Sequence, residues 1–86
     1  MKKIVNVVEV EGEGLVSLLG EKVILLCMNY FYAGTLSGVN SDCVLLTKGG
    51  IVYETGSFSD KNWKDFQEIG DLYIRISSIE AFSKGK

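Results

Sequence analysis

Two thiols are the most reactive side chains in this 86-residue chain, and neither has a base to work with. Cys27 and Cys43 are the only cysteines, and there is no histidine. A thiol without an imidazole beside it makes a poor nucleophile, and Ser–His pairs are excluded outright. The missing histidine also removes most zinc sites. Both cysteines fall inside apolar strand patterns, which predicts buried free thiols in a reducing compartment rather than a disulfide or a metal site. The carboxylates are scattered over turns and strand edges, with no pairing suited to acid–base work. The glycines punctuate turns and make no phosphate-binding signature. The residue types therefore point away from an enzyme, and no cofactor is called for.

Binding chemistry remains. Tyr30, Phe31 and Tyr32 are consecutive aromatics that would serve as a stacking platform, although strand aromatics more often fill a core or an interface. Trp63 and Phe66 stand out in the polar stretch 56–70, where they would grip a partner or pack back onto their own domain. Lys48, Lys61 and Lys64 give the face of that stretch a weak positive tone. The net charge of −2 argues against binding duplex nucleic acid through overall positive charge. It leaves room for a local polar pocket, especially one repeated by assembly.

The elements that must position these residues centre on 21–48. Val23–Cys27, Tyr30–Leu36 and Cys43–Thr47 are three short apolar runs cut by polar turns, with no proline in the chain. Each has the length of a strand and is too short for a helix, so an antiparallel meander is predicted. Val23–Cys27 is apolar on both faces and must be covered twice. Met28–Asn29 makes the first turn, and 37–42 the second. Gly34 inside its strand marks a sharp bend or a close backbone approach. Before the meander, 3–10 reads as a strand and Leu15–Gly20 as one or two helical turns that bury Leu15, Leu18 and Leu19. After it, 48–50 ends the third strand and 51–55 forms a short fourth. Stretch 56–70 reads as a long loop with one helical turn capped by Ser59 or Asp60, placing Trp63 and Phe66 on one face. Segments 72–76 and 78–82 are the last extended pieces, and 83–86 a frayed tail.

At 86 residues the chain is one domain, 1–86, with one small core. Its 47% hydrophobic content is too high for disorder. No apolar run approaches the roughly 18 residues of a membrane helix. Asn6, Glu9 and Glu11 interrupt any signal-peptide core, so a cytoplasmic protein with no membrane partner is expected, of a cell or of a virus that replicates in one.

The order of features resembles the Sm-like (LSm) family, which includes the Hfq-type proteins. The first Sm motif runs as Gly-x-x-Val, a strand, a turn, Tyr-x-Gly-x-Leu-x-Gly-apolar-Asp and then an apolar strand. Here it stands as Gly20-Glu-Lys-Val23, Tyr32-Ala-Gly34-Thr-Leu36-Ser-Gly38-Val39-Asn40 and Cys43-Val-Leu-Leu46. The second motif centres on Ile-Arg-Gly. Here it reads Ile74-Arg75, with Ile76 in the glycine's place, and Ile76-Ser-Ser-Ile79 is similar to the end of the bacterial version. The match covers roughly 15–54 and 71–80.

The resemblance implies an all-β, strongly bent, five-stranded small barrel with a short N-terminal helix, assembled head to tail into a homo-oligomeric ring of roughly five to seven subunits. The residues agree with assembly, because strands apolar on both faces give more apolar surface than one small barrel can hide. It further implies single-stranded RNA or DNA bound near the pore, with bases stacked and read at their edges. Carried over by position, the pocket would comprise Asn40, Ser41, Asp42 and Arg75, with Tyr73 nearby. Asn40 replaces the motif's Asp, and Asp42 falls at or near the stacking position, where a carboxylate repels phosphate. The alternative is a structural ring or protein-interaction adaptor of SH3-like type without nucleic-acid binding. In that reading Asn40 and Asp42 are plain turn residues, and Arg75 pairs with Asp71 or Glu80.

Overall fold

β-branched and long aliphatic residues at strand spacing drive the architecture. The computed structural model describes residues 14–86, and the strand expected at 3–10 lies outside the described residues. A 3₁₀ turn, Leu15–Leu18, is followed by β1 (Lys22–Cys27), β2 (Phe31–Val39), β3 (Cys43–Glu54), β4 (Asp65–Arg75), a second 3₁₀ turn (Ile76–Ser78) and β5 (Ile79–Lys84). The protein is all-β. One antiparallel sheet carries the strands in the order β4-β3-β2-β1-β5. Among the described residues no helix is long and apolar enough to cross a membrane.

The sheet curls about one face. Val23, Leu25 and Cys27 of β1, Leu36 of β2, Val44 and Leu46 of β3 and Ile74 of β4 form one buried cluster. Full burial of Val23, Leu25, Leu36, Val44 and Leu46 on a single sheet requires the strands to wrap around them. Ile24, on the opposite face of β1, is fully buried too, so β1 is covered on both sides as its composition predicts. Leu15 and Leu18 pack against the cluster from the first 3₁₀ turn. Leu19 does not join them: the helix closes one residue earlier, and Leu19 takes an extended backbone with 45% of its surface exposed. Gly20 N–H then donates to Leu36 C=O at 2.7 Å and ties the turn to β2.

Wrapping needs bends, and glycine supplies them where strands cross closely. A Cβ on Gly34 would sit 2.8 Å from Gly49 Cα, and one on Gly50 would sit 2.1 Å from Gln67 O. Register shifts cluster at the same level, between Ala33 and Thr35 in β2 and between Leu46 and Gly50 in β3. Bulges of this kind let a strand turn without ending.

Three expectations are corrected here. Segment 51–55 is no separate strand: β3 runs unbroken through Lys48-Gly49-Gly50 because the bulges absorb the change of direction. Stretch 56–70 holds no helical turn among the described residues. Its second half opens β4, where Phe66 pairs with Val52 and Gln67 with Ile51. The tail 83–86 is tied down, since Ser83 and Lys84 pair with β1 and Gly85 N–H donates to Lys22 C=O at 2.8 Å.

Candidate functional site

The residues singled out by sequence sit at one end of the β3–β4 ladder. Asn40, Ser41 and Asp42 form the tight turn between β2 and β3, and all three are exposed. Asn40 shapes that turn. Its Oδ1 accepts from Asp42 N–H at 2.7 Å and Cys43 N–H at 2.8 Å, while its own N–H donates to Cys43 C=O at 3.0 Å. Such side-chain acceptance is why Asn favours turns. Register places Arg75 opposite Cys43 and Tyr73 opposite Leu45. Ile76 N–H donates to Asp42 C=O at 2.9 Å, locking the turn against the end of β4. The five candidate residues therefore lie on the β2–β3 turn and on the last residues of β4, and one backbone hydrogen bond joins that turn to the residue after β4. Tyr73 leaves 72% of its surface to solvent.

Not every candidate faces the same space. Arg75 lines a cleft of about 480 Å³ together with Tyr30, Tyr32, Cys27 and Glu80; Tyr73 and the turn residues stand outside its lining. Tyr30 and Tyr32 meet edge to face, with ring centroids 6.3 Å apart. Tyr32 packs against the core, whereas Tyr30 is half exposed. The aromatic run is thus partly core and partly cleft wall. Among the described residues Arg75 has no ion-pair partner, whereas Lys64 pairs with Glu54 at 3.4 Å.

Burial controls the titrating groups of the cleft. The Cys27 thiol is pushed above its ordinary 9.0 by desolvation first and by the Glu80 carboxylate second. Tyr32 is raised above 10.0 by burial, then by Cys27 and Tyr30. Both shifts favour the protonated, neutral side chain. Cys27 is buried and Cys43 half-buried, and both are free thiols.

A second concavity, of about 630 Å³, was not legible as a unit. Five lysines (22, 48, 61, 64 and 86) line it against Asp65 and Glu68, with Trp63 and Phe66 in its wall. Lys48, Lys61 and Lys64 carry the positive tone expected of the loop face. Lys22 and Lys86 are brought in by the pairing of β1 with β5, which no local pattern announces.

No family model matches the chain, and no curated protein matches it.

Proposed function

We propose that this protein is a non-enzymatic, Sm-like (LSm-type) small barrel that binds single-stranded RNA as a homo-oligomeric ring in the cytoplasm. The observation that carries the reading is the Asp42 C=O to Ile76 N–H bond. It joins the turn and the Arg75 corner, the two places where the Sm motifs put the binding residues. Arg75 and the exposed Tyr73 supply a cation and a stacking face beside that junction, which is how splayed bases are held without duplex readout.

Assembly has its own support. β4 and β5 are the two edges of the sheet, and among the described residues neither has a second neighbour. Their exposed apolar side chains include Ile69, Tyr73 and Phe82. An edge with open N–H and C=O groups and some exposed apolar side chains is a template for another strand. An edge β4 meeting an edge β5 is a head-to-tail contact of the kind that closes into a ring.

The adaptor reading, a ring that binds protein and no nucleic acid, rests on Asp42. Its carboxylate is exposed at the turn, where it weakens phosphate approach. Fluorescence anisotropy with oligo-U, oligo-A and single-stranded DNA over a salt series separates the two. The nucleic-acid reading expects salt-dependent binding that weakens by about ten-fold in Arg75→Ala, the loss of one charge-assisted contact. Absence of binding to every oligomer at low salt leaves the adaptor.

A further inference from the structure

At the far end of the same ladder the loop 55–64 closes on a single cation. Three backbone carbonyls, those of Thr55, Ser57 and Asn62, accept hydrogen bonds from Lys86 Nζ at 2.8, 2.6 and 3.1 Å. The same nitrogen lies 4.7 Å from the Trp63 ring centroid and 5.7 Å from that of Phe58. The two rings stand edge to face, 5.5 Å apart and 83° to one another. A lysine ammonium has three donors and no acceptor, so the three carbonyls use its full hydrogen-bonding capacity while the rings meet its charge.

Bonds that do not involve Lys86 also shape these walls. Asp60 N–H donates to Ser57 C=O at 3.0 Å, and Lys64 N–H donates to Thr55 C=O at 3.4 Å. Ser59 N–H donates to Ser57 Oγ at 3.3 Å. Gly56 takes φ 67°, the left-handed conformation that lets the chain turn its carbonyls inward. The convergence of acceptors is therefore partly set by the loop itself.

We propose that residues 55–63 form a receptor for a primary ammonium, that Lys86 is its tethered occupant, and that a lysine side chain of a partner protein enters when Lys86 withdraws. The proposal is independent of nucleic-acid binding. It carries a specificity that the chemistry dictates. Cages for quaternary ammonium groups rely on aromatic faces alone. Here three carbonyls demand three N–H donors, so trimethylation of the incoming lysine abolishes the fit even though the charge is kept. Tethering gives Lys86 an effective concentration on the order of millimolar, which holds the site shut against dilute ligand.

The test is a titration of Trp63 fluorescence in the full chain and in Lys86→Ala. Probes are n-butylammonium, Nα-acetyl-lysine methylamide, its trimethyl-lysine counterpart and potassium chloride. Lys86→Ala is expected to bind the two primary amines saturably, about ten-fold or more tighter than the unaltered chain, and to ignore the trimethylated probe. Three results would each overturn the proposal: no saturable response in a folded Lys86→Ala, equal response to the trimethylated probe, or response to potassium alone. A measurement on the unaltered chain guards against a loop that collapses in the variant. In ¹⁵N spectra the Lys86 ammonium protons should exchange with water more slowly than those of the exposed Lys61. Equal exchange contradicts the cage.

Discussion

The β3–β4 ladder ends in two loops built on opposite principles. At the Cys43–Arg75 end, a three-residue turn is closed mainly by its own side chain: Asn40 Oδ1 takes up two backbone N–H groups within three residues, and one backbone bond from Ile76 ties it to the end of β4. At the Glu54–Asp65 end, ten residues bridge the strands, and their carbonyls reach 24 to 31 residues along the chain for the Lys86 ammonium. The first loop takes its shape from Asn40 and from backbone bonds, and the Asp42 side chain makes no hydrogen bond among the described residues. The second borrows a distant cation for part of its order, so removing that cation changes the loop itself. A self-sufficient turn separates stability from binding; a borrowed contact couples them.

The largest expected effect strikes both loops at once. Gly50→Ala drives a Cβ into Gln67 O in the middle of the ladder, and destabilisation of about 3 kcal/mol or more follows from overpacking against backbone. Urea unfolding measures it, and a variant as stable as the parent would deny the close crossing.

Asn40→Ala ranks next. It removes the acceptor of two turn N–H groups and should cost about 1–2 kcal/mol, with amide exchange across 55–64 unchanged. Lys86→Ala acts in reverse. Its global cost is about 1 kcal/mol or less, as for a partly exposed cation, but exchange across 55–64 should rise while the 40–42 turn stays protected. If each variant loosens both loops, the two ends are not separate.

A pH scan sharpens the contrast with the smallest effect. Burial raises Cys27 and Tyr32, which flank the Arg75 cleft, above their ordinary 9.0 and 10.0. The folded state then binds more protons than the unfolded chain as pH rises past 9, so stability is complete below that value and declines above it. Cys27→Ala should flatten part of the decline.

Much of the sheet could be read from residue order alone. Val23–Cys27 announced a strand covered on two sides, Met28–Asn29 a turn, and Gly34 a sharp bend or a close backbone approach, because each signal is local and concerns shape. The reading failed where a local signal had two outcomes. Lys48-Gly49-Gly50 looks like a strand end, yet glycines serve equally well as bulges inside a continuing strand. Asp65, Gln67 and Glu68 look like loop, yet the exposed positions of an edge strand accept polar residues equally well. At the candidate site, the sequence resemblance grouped 40–42 with Arg75, and the register of β3 with β4 brings them side by side. The placement of Tyr30 and Tyr32 beside Arg75 was not legible, since it follows from the curl of the sheet. Nor was the lysine cage, whose parts lie far apart in sequence and meet only after β5 pairs with β1.

Sheet edges β4 and β5, each open on one side among the described residues, are where the proposed ring would close, and the nucleic-acid proposal depends on that ring. Light scattering on the purified chain at micromolar concentration tests them directly. The proposed ring would have a mass roughly five to seven times the 9.5 kDa of one chain; a monomer of 9.5 kDa would contradict it.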